Sequence, residues 1–183
     1  MKVRRPQPHR QRGVGAVLVG GSAGSLEALA RIVEALPEEL GVPVIVVVHT
    51  PKDRPSGLVE ALSARCPLPI REPVDKETVE KGTVFVAAPG YHLLVERSQC
   101  FSFSVDAPEN FSRPSIDVLF DSAVDVYGSQ LVAVILSGAS RDGARGIKAV
   151  HDAGGLALVQ SPEEASSPEM PRAALAACPA AEV

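Results

Sequence analysis

Short valine-rich runs alternate along this chain with segments of helical apolar spacing, and this alternation restricts the fold more than any other feature. Residues 14–20 and Val44–Val48 are apolar runs of the kind found in strands buried on both faces. A helical pattern lies between them and ends at Pro37, and a second pattern opens at Pro55 after the next run. The first pattern consists of Leu26, Leu29, Ile32, Val33 and Leu36, and the second of Leu58, Val59 and Leu62. Repeated strand and helix predict an α/β fold with a parallel sheet and crossover helices.

The middle of the chain departs from this rhythm. Residues 83–88, 91–96 and 100–105 are short strand candidates separated by turn residues, and they predict a small antiparallel excursion within the same domain. The α/β rhythm then resumes with a helix face, a buried strand, a helix, a last strand and a closing helix. The helix face is built from Ile116, Leu119, Phe120, Ala123, Val124 and Tyr127, and the later elements cover residues 131–136, 142–153, 155–160 and 170–177.

The length and charge indicate one domain that does not bind nucleic acid. The 183 residues suit a single core over residues 14–183, preceded by a flexible basic tail over residues 1–13. Outside that tail no basic cluster stands out, and the formal net charge is −4. Phosphate backbones require clustered Lys and Arg, so nucleic acid is not expected as the main partner.

Cysteine usage and hydropathy predict a cytoplasmic protein without a metal site. Cys66, Cys100 and Cys178 lie far apart at no metal-ligand spacing, and an odd number without a pairing pattern fits a reducing compartment. The sequence has no apolar stretch of about 18 residues that could insert in a membrane. Its N-terminus also lacks the apolar run and cleavage site of a signal peptide.

Three polar residues follow predicted strands at the edge of the sheet where α/β proteins bind ligands. Ser22 follows the first strand, His49 closes the second, and Asp142 follows the strand over residues 131–136. Serine, histidine and aspartate are the nucleophile, base and orienting carboxylate of a catalytic triad. A helix start after Ser22 would also supply free backbone N–H groups and a positive dipole end for an oxyanion.

Each of these residues also has a purely structural interpretation. Ser22 and Asp142 both precede helical patterns and could be helix N-caps, and His49 could be a hydrogen-bonded histidine at a strand end. The remaining histidines, His9, His92 and His151, are weaker candidates because of their positions in the tail, the strand excursion and a helix. The glycine-rich turn at residues 20–25 lacks both the dinucleotide-binding pattern and the lysine of a phosphate-binding loop.

Several motifs that occur in order over residues 14–177 carry a resemblance to a known family. They are Gly20-Gly21-Ser22-Ala23-Gly24, Val47-Val48-His49-Thr50-Pro51, Ala87-Ala88-Pro89-Gly90, Arg113-Pro114-Ser115-Ile116-Asp117-Val118-Leu119-Phe120, Leu136-Ser137-Gly138 with Asp142-Gly143-Ala144, and Met170-Pro171-Arg172-Ala173-Ala174. The chain resembles the catalytic domain of chemotaxis protein-glutamate methylesterases, the CheB family. The nucleophile, base and carboxylate of that family fall on Ser22, His49 and Asp142.

The resemblance implies a doubly wound, mainly parallel sheet and a serine hydrolase without metal or cofactor. It implies hydrolysis of γ-glutamyl methyl esters on the helical cytoplasmic regions of methylated chemoreceptors, releasing methanol, and some members also deamidate receptor glutamines. Family members usually carry an N-terminal receiver domain that controls the esterase. About 13 residues precede the first predicted strand here. Either the domain acts without that switch, or the sequence is a piece of a longer protein.

Two departures from the family pattern alter the expected wall of the site. Ala23-Gly24-Ser25 stands where the family has Thr-Gly-Gly, and Ala139-Ser140-Arg141 stands where it has Met-Gly-Asn. We expect Ala23, Gly24, Gly138 and Ala139 to line the pocket and the oxyanion hole, which can be built from backbone N–H groups. These departures leave two alternatives open. One is a weakly active or inactive methylesterase-like binding module of a chemosensory pathway, and the other is a hydrolase of an unrelated ester or amide.

Overall fold

The computed structural model describes residues 13–50 and 57–183. Its main sheet has six strands, all parallel, in the order β3-β4-β2-β1-β7-β8, and β5 and β6 form a separate antiparallel pair. The strands are β1 (Ala16–Gly21), β2 (Val44–Val48), β3 (Ile70–Arg71), β4 (Val84–Val86), β5 (His92–Val95), β6 (Phe101–Ser104), β7 (Leu131–Ile135) and β8 (Leu156–Val159). The helices are α1 (Leu26–Glu34), α2 (Leu58–Ser63), α3 (Ile116–Tyr127), α4 (Ala144–Asp152) and α5 (Glu169–Ala177).

The first strand lies at the centre of the sheet, between β2 and β7. Val19 pairs with Val46 on one side and with Val134 on the other, so β1 is hydrogen-bonded along both edges. The chain first builds the sheet outward on the β2 side and then crosses to the β7 side. This reversal makes the end of β1 a topological switch point, which is where open α/β sheets bind ligands.

Alternate residues of the central strands feed two apolar cores, one on each face of the sheet. Leu18 packs into the core formed with α3, α4 and α5, and its neighbour Val19 packs into the core formed with α1 and α2. Both residues are fully buried. Side chains alternate between the two faces of a strand, so a strand covered on both sides is apolar at almost every position. The predicted doubly wound, mainly parallel sheet is confirmed.

One predicted strand belongs to a different sheet. The sequence placed residues 83–88 in the antiparallel excursion, and this assignment is wrong: β4 pairs in parallel with β2 and β3 in the main sheet. All three of its residues are buried, because Val84 and Val86 face one core while Phe85 faces the other. The excursion therefore consists only of β5 and β6, which lie over α3. The two-residue edge strand β3 was not predicted.

The other predicted elements are confirmed, with ends in the described residues that coincide with the predicted ones or differ by one or two residues. The predicted basic tail lies almost wholly outside the described residues, as does Pro55. Among the described residues, no helix has both the length and the apolar character needed to cross a membrane.

Candidate active site

Ser22 and His49 lie side by side at the ends of two neighbouring strands. Gly21 pairs with Val48 in the register of β1 and β2, so the next residue of each strand is Ser22 on one side and His49 on the other. The backbone N–H of His49 donates to the carbonyl of Gly21 at 3.1 Å and extends this pairing past the last strand residue. The strand-end positions predicted for these residues are therefore realised.

Ser22 is not a helix N-cap, so that structural interpretation of the sequence is wrong. The helix α1 begins at Leu26, and Ser25 occupies the N-cap position. The hydroxyl of Ser25 donates to the carbonyl of Ser22 at 2.7 Å, while the N–H of Ser22 donates to the carbonyl of Ser137 at 2.9 Å. These bonds fix the backbone of Ser22. Its hydroxyl has no hydrogen-bond partner among the described residues.

The two ring nitrogens of His49 have different partners. Its Nε2 lies 2.8 Å from Oδ2 of Asp142, and its Nδ1 lies 3.1 Å from the hydroxyl oxygen of Ser112. An ionised carboxylate can only accept hydrogen bonds, so Nε2 carries the hydrogen. The lone pair of the neutral ring is then on Nδ1, where the hydroxyl of Ser112 donates to it. In this tautomer, Nδ1 is the ring nitrogen with a lone pair that can accept a hydrogen bond.

Asp142 is a fully buried carboxylate whose two oxygens accept five hydrogen bonds. Burial by itself raises the pKa of Asp142, but the hydrogen bonds from His49, the N–H of Ile116 and the hydroxyl of Ser115 outweigh it and hold the pKa below its ordinary value. The N–H of Ile116 is 2.6 Å away and the hydroxyl of Ser115 is 2.8 Å away. Asp142 therefore binds the first turn of α3, whose dipole also favours a negative charge there.

Asp142 does accept N–H groups at the start of a helix, as its structural interpretation proposed, but the helix is α3 and not α4. Gly143, not Asp142, is the N-cap of α4, and the carboxylate accepts backbone N–H groups at the start of α3 instead. Residues 26 positions apart in sequence are joined by this bond. A capping role and an orienting role toward His49 are thus combined in one side chain.

Sequence reasoning missed two residues that support the site, Asn110 and Ser112. The amide nitrogen of Asn110 donates to Asp142 at 3.2 Å and to the second buried carboxylate, Asp117, at 3.0 Å. Ser112 contacts His49 as described above. Both residues lie in a loop without apolar periodicity, and the only nearby signal was the motif that begins at Arg113.

The wall beside Ser22 is formed by the loop after β7, where only glycine fits at position 138. A Cβ on Gly138 would lie 2.9 Å from Cβ of Ser22 and 2.7 Å from Cε of Met170. The N–H of Gly138 donates to the carbonyl of Ser167 at 3.0 Å, so Gly138 contributes space and not a free donor. The N–H groups of Ala23, Gly24 and Ala139 have no hydrogen-bond partner within the described part of the chain.

A missed serine holds these wall segments together. The buried hydroxyl of Ser137 donates to the carbonyl of Ala23 at 2.7 Å and accepts the N–H of Ser167 at 2.9 Å. The turn after Ser22 is thereby tied to the segment that precedes α5. The motif that contains Ser137 was recognised in the sequence, but its role was not.

The other candidate groups from the sequence, Arg141, His92 and His151, differ in their exposure and contacts. Arg141 is exposed and makes no ion pair within residues 13–50 and 57–183. His92 is buried, accepts the N–H of Ser115 and lies 3.1 Å from the carbonyl oxygen of Ala107, which is a structural role. His151 lies in α4. Across the described ranges, no group of three or more His, Cys, Asp or Glu residues could hold a metal ion.

Comparison with known proteins identifies the family. The sequence model of the family described as CheB methylesterase matches residues 17–183. This chain belongs to the CheB methylesterase family. The crystal structure of the Thermotoga maritima CheB methylesterase catalytic domain superposes with a TM-score of 0.85 at 29% identity, covering 90% of this chain and 88% of that one.

Relatives of two different lengths align with this CheB-family chain. A Leptospira interrogans protein provisionally named protein-glutamate methylesterase/protein-glutamine glutaminase is 44% identical over 162 residues, which cover 88% of this chain and 84% of the relative. Proteins of that name from Cupriavidus pinatubonensis and Archaeoglobus fulgidus are 36% and 38% identical over 91% and 87% of this chain. The aligned part spans only 49% and 46% of these two relatives, about half their length. The family and the methylesterase class predicted from the sequence are confirmed.

Proposed function

We propose that this chain hydrolyses γ-glutamyl methyl esters on the helical cytoplasmic regions of chemoreceptors, with Ser22 as nucleophile, His49 as base and Asp142 as the orienting carboxylate. The observation that carries the proposal is the placement of His49. It lies beside Ser22 at adjacent strand ends, and its Nε2 is 2.8 Å from the buried carboxylate of Asp142. This is the order of groups that activates a serine hydroxyl.

In the first step, the hydroxyl oxygen of Ser22 attacks the ester carbonyl while Nδ1 of His49 takes the hydroxyl proton. Nδ1 must exchange the hydroxyl of Ser112 for that of Ser22 to do so. The imidazolium that forms is stabilised by Asp142 through Nε2. Its Nδ1 proton then passes to the leaving methoxide oxygen, and methanol departs as the acyl-serine forms.

In the second step, water repeats the sequence on the acyl-serine. His49 takes a proton from water, hydroxide adds to the acyl carbon, and the Ser22 oxygen leaves with the proton, which regenerates the serine and frees the glutamate. The negative oxygen of each tetrahedral intermediate needs N–H donors. The backbone N–H groups of Ala23, Gly24 and Ala139 are the candidates, since they lie next to Ser22 or on the facing wall without a partner among the described residues.

The same chemistry would deamidate a receptor glutamine, with ammonia leaving in place of methanol. The names of the relatives pair the two activities. A helical receptor region presented to this site would act as the partner, and the cytoplasm, where such regions lie, is the compartment in which we place the reaction.

A methanol-release assay on methylated receptor fragments tests the proposal. We expect Ser22→Ala to abolish release, because the proposed acyl intermediate forms on the hydroxyl that this substitution removes. We expect its thermal unfolding to match the parent, since the Ser22 hydroxyl makes no hydrogen bond in the described part and such a change costs less than about 0.5 kcal/mol.

The control is Ser98→Ala, the same substitution at an exposed serine in the turn between β5 and β6. We expect it to retain full release. Turnover that persists in Ser22→Ala would disprove the nucleophile. A folded parent that releases no methanol from a broad panel of receptors would favour a binding module, and one that cleaves only small esters would favour a hydrolase of an unrelated ester.

A further inference from the structure

Phe111 exposes its whole side chain at the rim of the candidate active site. Its exposure is 102% of the reference value, and among the large apolar residues of the described part the next most exposed are Val183 at 74% and Val105 at 68%. Burying a phenyl side chain stabilises a protein by about 1.5–3 kcal/mol, and Phe111 gains none of this. Stability of the fold does not explain a phenylalanine at this position.

The backbone at Phe111 is also unfavourable for a large side chain. The N–H and carbonyl groups of Glu109 and Ser112 bond each other at 3.1 and 2.9 Å and close a two-residue turn. The φ angles of the two central residues are 49° at Asn110 and 66° at Phe111. Turns with positive φ at both central positions prefer glycine at the second, where Phe111 stands, and a bulky residue there is uncommon.

The turn is held firmly to the site on both sides of Phe111. Asn110 donates to Asp142, and Ser112 contacts Nδ1 of His49. The carboxylate of Glu109 pairs with Arg145 of α4. Phe111 therefore lies between two residues that are both hydrogen-bonded to the site, so its backbone has little freedom. An apolar group held in place in this way loses little entropy when it binds a partner.

We propose that Phe111 is a docking residue for the polypeptide that carries the ester, and that it contacts an apolar side chain on the same helix face as the modified glutamate. Residues three and four positions apart lie on one face of a helix. The inference rests on the proposed function. The ring projects into solvent, so only a ligand extending beyond the reacting group can reach it, as a helix does and a small ester does not.

Direct binding separates docking from catalysis. Dissociation constants for a methylated receptor fragment are measured in the Ser22→Ala background, with and without Phe111→Gly, Phe111→Leu and Val105→Ala. We expect Phe111→Gly to raise Kd about tenfold, a change of about 1.4 kcal/mol. Phe111→Leu keeps an apolar group and should stay within about threefold of the background protein. Val105→Ala, the control at another exposed apolar residue of the same connection, should bind like the background protein.

Kinetics with Ser22 intact supply a second measurement. We expect Phe111→Gly to raise KM for the receptor fragment with little change in kcat, so that its preference for the fragment over p-nitrophenyl acetate falls about tenfold. Glycine suits the positive φ, so thermal unfolding at or above the parental temperature would show that the variant is folded.

The outcomes for the two proposals differ. Parental Kd and KM in Phe111→Gly, together with normal methanol release, overturn the docking role and leave the proposed function intact. A Phe111-dependent Kd without any methanol release supports docking and overturns the esterase activity. Absence of both binding and release overturns both.

Discussion

At the scale of single residues, the side chain of Asp142 links the proposed active site to the stability of the fold. It orients His49 through Nε2 and also accepts the first backbone N–H groups of α3. Its pKa is held below the ordinary value, so the ionised form stabilises the folded chain at pH values above about 4, the unfolded pKa of aspartate. That stabilisation is lost as the pH falls through the lower folded pKa.

We predict that Asp142→Asn reduces methanol release by roughly 10³–10⁴, as in triads whose carboxylate was made neutral. An amide in place of the carboxylate can offer His49 a donor and so favour the wrong tautomer. Near neutral pH the variant should also lose about 1–3 kcal/mol of unfolding free energy, because hydrogen bonds to a charged acceptor are weakened. Both quantities are measurable on one preparation, by release kinetics and urea unfolding.

Asp152→Asn is the matched control, because Asp152 is an exposed residue of α4 whose one ion pair within the described residues is with Lys148, across one helical turn. Exposed pairs of this kind contribute little. We expect parental release and nearly parental stability. Equal release from Asp142→Asn and the parent would show that this carboxylate does not serve His49 in catalysis.

Arg141 is exposed, precedes Asp142 in sequence and makes no ion pair within the described ranges, which leaves its charge available to an incoming acidic helix. We predict that Arg141→Asn raises KM for a glutamate-rich receptor fragment several-fold at low salt, with the difference shrinking near 1 M salt, where screening acts within about 3 Å. Steady-state kinetics across a salt series measure this. Arg97→Asn, at an exposed arginine in the turn between β5 and β6, is the control, and an identical salt response of both variants would contradict the steering role.

At the scale of elements, the start of α3 organises the site. Ser115 caps this helix, the carboxylate of Asp142 accepts N–H groups of its first turn, and Asp117 is itself a residue of that turn. Asp117 points toward α4 and accepts the N–H of Gly146 at 2.8 Å. The helices approach closely here, since a Cβ on Gly146 would lie 2.5 Å from Cβ of Phe120. The position of the Asp142 carboxylate therefore depends on how α3 and α4 pack.

Asp117 makes this packing dependent on pH. Burial raises the pKa of Asp117 from its ordinary 3.8 to about 6, the N–H of Gly146 opposes the rise, and the charge of Asp142 adds to it. The folded chain thus holds a proton between about pH 4 and 6 that the unfolded chain has released. Stability falls as the pH rises through this window, by up to about 3 kcal/mol for such a shift.

We predict that Asp117→Asn removes this fall. The unfolding free energy of the variant minus that of the parent should rise by up to about 3 kcal/mol between about pH 4 and 6 and stay level above it. Urea unfolding at a series of pH values measures this free-energy difference. Altered hydrogen bonding in the variant adds a constant to the difference and does not change how it varies with pH. Asp125→Asn, at an exposed position of the same helix, should give a level difference, and a level difference for Asp117→Asn would disprove the assignment.

At the scale of the whole molecule, the two cores share one sheet and should unfold together. Leu29 of α1 and Leu119 of α3 are fully buried on opposite faces. We predict that Leu29→Ala and Leu119→Ala each lower the unfolding free energy by about 2–5 kcal/mol. Both should shift a single transition, detected alike by tyrosine fluorescence and far-ultraviolet circular dichroism.

The control for core truncation is Leu26→Ala, in the same helix as Leu29 but at a half-exposed position. We expect a change within about 0.5 kcal/mol. Two separate transitions in either core variant would show that the faces of the sheet unfold independently. A change in the fluorescence signal at a different urea concentration from the circular dichroism signal would show the same.

The strands and helices before and after the antiparallel pair could be predicted because the apolar patterns that indicate them are local. Each buried strand and each amphipathic helix carries its own apolar period, and the strand ends then place Ser22, His49 and Asp142 at one edge of a parallel sheet. The strand β4 was assigned to the wrong sheet because three apolar residues fit either kind of sheet. Its pairing with β2 depends on contacts across about forty residues of sequence.

The sequence by itself determined the class of fold, the family and the three residues proposed as the triad, since buried runs, helical periods and ordered motifs all act over short stretches of chain. Only the tertiary structure decided which ring nitrogen of His49 contacts Asp142, that Ser25 rather than Ser22 occupies the N-cap position of α1, and that Asn110 and Ser112 reach the site. Hydrogen bonds such as that between Asn110 and Asp142 join residues 32 positions apart. No local pattern encodes them, because their geometry exists only once the sheet and α3 have packed together.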